Sequence, residues 1–408
     1  MTPVDIIKPT PEQVQWQDME FGVFVHFSIN TFNNREWSDG TFSPKTFNPK
    51  HLDCEQWVKV AQAAGAKYMI LVCKHHDGFC LWQTDTTDYS VKSSPYKNGA
   101  GDVVAEFVAA CRKFGMRFGF YLSPWDRHAP EYADKLAYDQ YYAAQLAELL
   151  SRYADYNEVF ELWFDGAGSE GRVYDWDMFL GVINQYQPGA VRFQSAYPTI
   201  RWVGNEKGYT PYPNWNLISQ DGTEIWAPAE CDVPIHLYHW FHHTGLWGIA
   251  YRITLQSTKK LVDLYEKSVG HGANLLLNIA PTTDGLFSKR DIKRVLALGA
   301  EIRRRYDTPL AETAGSGITL ELPLPTPMSV NCVVLQEDIT EGERVRKYSI
   351  EVKSGVNWVR VQTSEQTISI GHKKIDKFAI PITTPALRLV VAEATAEPII
   401  RSFRAYQI

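Results

Sequence analysis

The sequence predicts an α/β protein, a (β/α)8-like TIM barrel followed by a C-terminal antiparallel β-sandwich. Three observations carry that expectation. Buried-strand patterns alternate with amphipathic helix patterns four times between residues 21 and 166, and such alternation makes a parallel sheet. Polar residues gather just after each of those strands, at His26, His75, His76, Trp125 and Asp165, on the face where barrel loops build a site. After Asp307 the pattern shortens to brief strands parted by Gly, Pro, Asn and charge, as in an antiparallel sandwich. The 408 residues exceed what one hydrophobic core usually holds, so two domains are expected, 1–309 as the barrel and 310–408 as the sandwich.

Residues 21–28 read as the first strand, ending near His26. A helix follows over 53–64, capped by Asp53 with Gln56 three residues on, its apolar face made by Trp57, Val60, Ala61 and Ala64. A second buried strand over 67–73 runs into Lys74-His75-His76-Asp77-Gly78-Phe79. Next come a helix over 102–114, a third strand over 117–122 ending in Ser123-Pro124-Trp125-Asp126, and a long helix over 135–153. The fourth strand, 158–166, is apolar, aromatic and closed by Gly166. Alternation puts Val159, Glu161, Trp163 and Asp165 on one face and Phe160, Leu162 and Phe164 on the other. The second face is wholly apolar and belongs against helices. The first ends in a carboxylate at the strand's carboxyl end, where parallel α/β folds hold ligands.

The middle of the chain is less regular. Residues 175–185 read as a helix and 190–195 as a fifth strand, whereas 200–238 has little periodicity and reads as a long functional segment. Regularity returns with a helix over 257–269, capped by Ser257 and stopped by Gly270. A last barrel strand over 274–279 and a helix from the Ser288 cap to about Arg304 follow. Sandwich strands are expected at 330–335, 348–352, 358–361, 368–370, 378–380 and 387–391.

Composition excludes some functions. A net charge of -6 gives no reason to expect nucleic acid or an anionic membrane as partner. No apolar run approaches the ~20 residues of a membrane span. The 13 Trp and 21 Tyr suit a site that stacks rings, sugar rings included, on flat side chains. The six Cys are scattered without zinc-site spacing and read as buried free thiols. Met1-Thr2-Pro3-Val4-Asp5 shows no signal-peptide apolar region, which fits a cytoplasmic enzyme, or a secreted or periplasmic one whose leader has been removed.

Asp165 is the expected catalytic nucleophile. The strand ends bring His26, Glu36, Trp37, His75, His76, Tyr121 and Trp125 around it. Glycoside cleavage needs such a set: His for hydroxyls, Trp and Tyr for the apolar ring face, and two carboxylates. His75-His76-Asp77 could instead ligate a metal. Adjacent residues of one strand point to opposite faces and would not converge on one ion, although in a loop they could. No His-x-His or His-Glu-x-x-His spacing appears, and neither metal nor cofactor is expected. The second carboxylate is left open among Glu36, Glu206, Glu224 and Glu230, all in expected loops. A non-enzymatic carbohydrate-binding barrel and a metal-dependent hydrolase are the competing classes; the intact Asp165 argues against the first.

Longer motifs narrow the choice. Phe32-Asn33-Asn34-Arg35-Glu36-Trp37, Lys74-His75-His76-Asp77-Gly78-Phe79, Asp88-Tyr89-Ser90-Val91, Tyr121-Leu122-Ser123-Pro124-Trp125-Asp126, Trp163-Phe164-Asp165-Gly166 and Gly272-Ala273-Asn274-Leu275-Leu276-Leu277-Asn278 resemble the α-L-fucosidases of glycoside hydrolase family 29. The likeness covers nearly the whole barrel and is greatest to the subgroup acting on α-1,3- and α-1,4-linked fucose of Lewis-type glycans. It implies a retaining exo-hydrolase of fucosylated oligosaccharides or glycoconjugates, with Asp165 as nucleophile. Gly204-Asn205-Glu206 matches the subgroup's acid/base loop, so Glu206 is implied as acid/base, with Glu230 the alternative. The resemblance also implies fucose contacts by His26, His75, His76, Tyr121 and Trp163, together with Glu36, Trp37, Glu230 and Trp240. One departure stands out. After Pro228-Ala229-Glu230-Cys231-Asp232 the family pattern continues into Gly-Trp-Phe, whereas this chain places His239 before Trp240-Phe241. The implied consequence is a different leaving-group preference; a fucosidase of different linkage or α-L-galactoside specificity is the alternative reading of the whole chain.

Overall fold

The computed structural model describes residues 7–408, so the leader reading at residues 1–5 lies outside the described residues. Its first part runs α1 (Pro11–Met19), β1 (Phe21–Val25), α2 (Ile29–Asn33), α3 (Cys54–Ala64), β2 (Tyr68–Lys74), α4 (Val103–Phe114), β3 (Arg117–Leu122), α5 (Lys135–Arg152), β4 (Glu161–Trp163), α6 (Trp176–Tyr186) and β5 (Val191–Phe193). It continues through β6 (Arg201–Trp202), a hairpin of β7 (Leu217–Gln220) and β8 (Thr223–Trp226), β9 (Ala229–Pro234), α7 (Gly245–Ile253), α8 (Thr258–Ser268), β10 (Asn274–Asn278) and α9 (Lys289–Tyr306).

Eight strands form one parallel sheet in the order β5-β4-β3-β2-β1-β10-β9-β6. A parallel bridge between Phe193 and Ile200 brings β5 beside the start of β6, and the sheet nearly closes on itself as a barrel. Helix caps fall where the sequence puts them: Asp53 accepts from the Gln56 N–H, Ser257 from Lys260 and Ser288 from Asp291. Each cap satisfies an orphan donor at its helix start and so fixes where the preceding loop ends. All six Cys are free and buried.

Outward residues such as Val23, Val25, Leu71, Leu162 and Leu277 share a core with the surrounding helices. Inward residues make a separate, aromatic core of Trp16, Phe24, Tyr68, Tyr121, Trp163 and Phe193. Trp16 reaches into it from α1, its indole donating to Glu161 Oε2 at 2.8 Å while Asn274 donates to its carbonyl. Both partners begin strands, so α1 plugs the amino-terminal end of the barrel and leaves the carboxyl end as the open mouth.

Three parts of the expected fold change. The segment 200–238 is not irregular: it holds β6, the β7–β8 hairpin and β9. Its periodicity is faint because β9 turns only Ala229, Cys231 and Val233 outward while Glu230, Asp232 and Pro234 alternate with them. In the fourth strand the alternation slips at its start, since Val159 packs with the helices and Phe160 with the barrel interior. Regular pairing begins only at Glu161, so the slip precedes the ladder that enforces alternation.

The C-terminal part is a single sheet of β11 (Ala311–Ser316), β12 (Thr319–Glu337), β13 (Val345–Ser354), β14 (Asn357–Arg360), β15 (Lys374–Ala394) and β16 (Ile399–Tyr406). Its order is β11-β16-β12-β15-β13-β14 and its pairings are antiparallel. β12 and β15 are long and their register shifts twice, after Pro323 and after Val330. Such irregularities bend strands, and the sheet folds into a sandwich around Leu322, Val330, Leu335, Tyr348, Leu387 and Phe403. The expected strands at 378–380 and 387–391 are both parts of β15, while 368–370 is loop. The sandwich grips the barrel: Tyr212 donates to the Ser369 carbonyl at 2.6 Å, and Glu343 accepts from the Asn216 N–H and side-chain amide.

Candidate active site

The open mouth holds a cavity of about 430 Å³. Its wall includes His26, Trp37, His75, His76, Tyr121, Trp163, Asp165, Glu206 and Trp240 of the expected set, with Phe24, Phe193, Trp202 and Asp232 added. The aromatic floor is tightly built. Trp163 stacks on Phe193 at 3.8 Å between ring centres, and Tyr121 lies near-parallel to Trp163 on its other flank at 5.6 Å. Stacked rings give a flat apolar surface of the kind that accepts the apolar face of a sugar.

Asp165 stands two residues past the end of β4. Its Oδ2 accepts from the Tyr121 hydroxyl at 3.0 Å and lies 3.5 Å from His76 Nε2, while Oδ1 accepts from the Ala167 N–H at 2.9 Å. Burial pushes its pKa up, but hydrogen bonding and charge from His76, the Ala167 N–H and the Tyr121 hydroxyl overcome that and hold the carboxyl below its ordinary value. The result is an ionised oxygen in an apolar cavity. His76 is itself oriented, its Nδ1 standing 2.7 Å from Ser123 Oγ.

His75 and His76 both reach the cavity because β2 ends at Lys74 and the two rings sit in the following turn, where the Gly78 N–H donates to the His75 carbonyl. That turn is nailed down by a fully buried pair: Lys74 Nζ bonds Asp126 Oδ2 at 3.0 Å and Gln145 Oε1 at 2.8 Å. Asp126 Oδ1 in turn accepts from the His128 and Ala129 N–H groups, which fixes the loop bearing Trp125. His26 donates from Nδ1 to Asn278 Oδ1 at 2.8 Å. Burial depresses His26 to about 4, and burial with the neighbouring His76 and His26 pushes His75 well down. Both rings are therefore neutral near pH 7; His26, whose proton goes to Asn278, leaves Nε2 as an acceptor, and His75 has one donor and one acceptor, which suits hydroxyl recognition.

Glu206 lies in the loop after β6 and lines the cavity from its exposed rim. Although the residue is largely exposed, partial enclosure of its carboxyl by the cavity walls pushes its pKa up, the Trp240 indole opposes, and the charges of Asp165 and Glu36 add to the rise. The two carboxyls of one cavity are thus driven in opposite directions, the arrangement that separates an ionised group from a proton donor.

Two expected contacts do not line the cavity. Glu230 is fully buried one strand layer deeper than Asp232. Its oxygens accept from the Tyr68 hydroxyl at 2.6 Å and the Trp163 indole at 2.8 Å, so it supports the floor from below. Glu36 turns to the 239–243 segment, where His239, His243 and the Trp240 and Phe241 N–H groups engage its carboxylate. Asp232 was missed. It lines the cavity almost fully buried, accepts from the Trp202 indole at 2.7 Å, and is pushed well up by burial and by Glu206. Two carboxylates at alternate positions of a small-residue run were the signal for it.

Among proteins of known kind, the α-L-fucosidase family model matches residues 33–305, from the end of α2 to the last turn of α9. The chain belongs to the α-L-fucosidase family. An α-L-fucosidase 1 of Arabidopsis thaliana is 35% identical over 96% of this chain and 86% of its own length. A crystal structure of a glycoside hydrolase 29 member from an unknown rumen bacterium superposes with a TM-score of 0.90 at 35% identity, covering 98% of this chain and 77% of that one. A Ruminococcus gnavus family 29 fucosidase solved with fucose gives 0.86 at 28% identity, covering 98% and 95%. The protein is accordingly a glycoside hydrolase with α-L-fucosidase activity. Among the described residues, no helix of this α-L-fucosidase is long and apolar enough to cross a membrane.

Proposed function

We propose that the chain is a retaining exo-α-L-fucosidase in which Asp165 is the nucleophile and Glu206 the acid/base. The observation that carries the reading is that both carboxyls line one cavity, with Asp165 held by the Tyr121 hydroxyl, the Ala167 N–H and the nearby His76 ring. Asp165 is held ionised by Tyr121, His76 and the Ala167 N–H, and Glu206 is driven toward its protonated form. Asp165 attacks the anomeric carbon of the fucoside as Glu206 protonates the departing glycosidic oxygen. The leaving alcohol departs, and a covalent fucosyl-enzyme forms. Glu206, now a carboxylate, takes a proton from water, which attacks the same carbon, displaces Asp165 and gives net retention. The neutral His26 and His75 and the imidazole of His76 read the ring hydroxyls, and the C5 methyl packs on the Trp163–Phe193 floor.

The substrate class we propose is terminal α-1,3- or α-1,4-linked L-fucose on Lewis-type branched glycans. The motif resemblance supports it, as does a cavity large enough for more than one ring. The test compares fucose release from Lewis-type trisaccharides, an unbranched α-1,2-fucoside and an aryl fucoside. Wild type, Asp165→Asn and Glu206→Gln are assayed together. Release from the branched substrates alone, lost in both variants, supports linkage and roles. Equal release from the α-1,2-fucoside overturns the linkage, and full activity in Glu206→Gln overturns the acid/base.

A further inference from the structure

The residue at which the chain departs from the family pattern, His239, does not stand alone. Its Nδ1 lies 3.1 Å from Glu36 Oε1, and His243 Nε2 lies 2.5 Å from the same oxygen. One donor atom from each of the three residues lies within 4.8 Å of the others. Glu36 comes from the loop after α2 and the two His from the segment after β9, so the cluster joins two separate mouth loops. We propose that Glu36, His239 and His243 form a binding site for a divalent transition-metal ion of the zinc class at the rim of the active-site cavity.

The donor chemistry selects the ion. Two imidazoles and one carboxylate are the three protein ligands of zinc sites whose fourth position is left for water, and the same set holds iron(II) among the transition metals. Calcium and magnesium prefer all-oxygen sets, and the six thiols that could compete for a soft ion are all buried. The platform is already oriented. Glu36 Oε2 accepts from the Trp240 and Phe241 N–H groups at 2.8 and 3.2 Å, which aims Oε1 at both rings. Second-shell bonds of this kind orient ligating carboxylates. Asn34 Oδ1 accepts from the Thr244 N–H at 2.6 Å and staples the same two loops one step further along. The loops are therefore held together without the ion. Tetrahedral donors around zinc sit roughly 3.3 Å apart, given bonds of about 2.0–2.1 Å. The His239–Glu36 spacing is close to that, the His243 ring needs to withdraw from Glu36 by less than about 1 Å, and the ligand atoms of the two His stand within 4.8 Å of each other and close on the ion as it binds. On binding, both nitrogens that face Glu36 present lone pairs, and their protons pass to the opposite ring nitrogens or to solvent.

The site is distinct from the reacting carboxyl, whose partners are Tyr121, His76 and Ala167. It nevertheless touches the cavity walls through the chain, because Trp37 follows Glu36 and Trp240 follows His239 and both rings line the cavity. An ion here ties the two walls together.

The test needs no turnover and so stands or falls apart from the fucosidase mechanism. The full chain is stripped with chelator and dialysed, then titrated with zinc chloride by calorimetry and with cobalt(II) chloride by visible absorption. The expected result is one equivalent per chain, an intense tetrahedral cobalt spectrum, and a melting temperature that rises with zinc. His239→Ala, at the solvent-facing rim, weakens binding at least tenfold, as do His243→Asn and Glu36→Gln, while His242→Asn leaves it unchanged. Absence of stoichiometric binding, or zinc binding and stabilisation that survive intact in His239→Ala, overturns the site. A weak octahedral cobalt spectrum overturns it equally.

Discussion

The Tyr121 hydroxyl donates to Asp165 Oδ2 across 3.0 Å, from a ring that is buried and lies parallel to His75 at 5.8 Å. The donor therefore cannot follow solvent, and the carboxylate it meets is poised by the fold. Tyr121→Phe keeps the ring and deletes only that bond. The expected loss is about tenfold or more in kcat/KM on an aryl fucoside, the size of one hydrogen bond to a charged group. The bond lowers the Asp165 pKa, and the proposed attack needs the ionised form. Its removal therefore moves the acid limb of the kcat/KM profile to higher pH. A limb that stays in place contradicts the role given to Tyr121.

Replacing Glu206 separates the two carboxyls by chemistry. Glu206→Ala is expected to lose roughly 10²–10⁴-fold in rate on natural glycans, which need a protonated leaving group. An aryl fucoside with an acidic leaving group should lose far less. Azide should restore turnover and yield fucosyl azide of retained configuration, since it attacks the covalent intermediate from the face that water uses. Asp165→Ala with azide should give the inverted product instead. Nuclear magnetic resonance of the two products reads the outcome.

Glu230 offers a contrast. Glu230→Gln should keep substantial activity with poor and good leaving groups alike, because the side chain supports Trp163 and Tyr68 without reaching the cavity. Glu230→Leu strands the buried Trp163 N–H, and a cost of about 1–3 kcal/mol is expected. Denaturant unfolding measures it. A selective loss on poor leaving groups in Glu230→Gln would return the acid/base role to Glu230.

Gly168 has φ of +73°, and a Cβ there would come within 1.9 Å of the Trp125 ring. Trp125 in turn meets Trp37 and His76 at 5.5 and 5.2 Å between ring centres. Gly168→Ala should therefore displace an aromatic side chain beside the cavity and raise KM about tenfold, since small misplacements at a binding wall are costly. Steady-state kinetics checks it, and an unchanged KM would show that Trp125 does not fix the wall.

Where the sandwich meets the barrel, burial pushes the Glu343 carboxyl up to about 8. Its folded pKa exceeds its unfolded value of about 4.3, so its stabilising contribution is complete below that value and is lost as pH rises through about 8. The melting temperature of wild type should therefore fall relative to Glu343→Gln between about pH 6 and pH 9, by a few degrees. Parallel curves would contradict the burial of a neutral carboxyl there.

Strand ends with strong apolar runs were legible: β2 and β4 announced themselves, and with them His75, His76 and Asp165. β9 is not, because it carries Glu230 and Asp232 among small residues and ends in Pro234, so its pattern marks neither a strand nor Asp232 as a site residue and puts Glu230 in a loop. Long-range contacts were not legible either. Nothing local in Glu36 says that its carboxylate meets a segment about two hundred positions away, beside Trp240. β15 read as two strands because Pro381 and Pro385 interrupt its pattern, although the chain continues through both in one extended strand.

The most direct test of the account is a covalent trap. Incubation with a 2-deoxy-2-fluoro-fucosyl fluoride, whose fluorine slows the second displacement, should add one fluorofucosyl mass to the chain. Peptide mapping should place that mass on Asp165, and Asp165→Asn should acquire none. Label on another carboxylate, Asp232 or Glu206 among them, would contradict the central claim, as would turnover of the probe to the inverted sugar with no adduct formed.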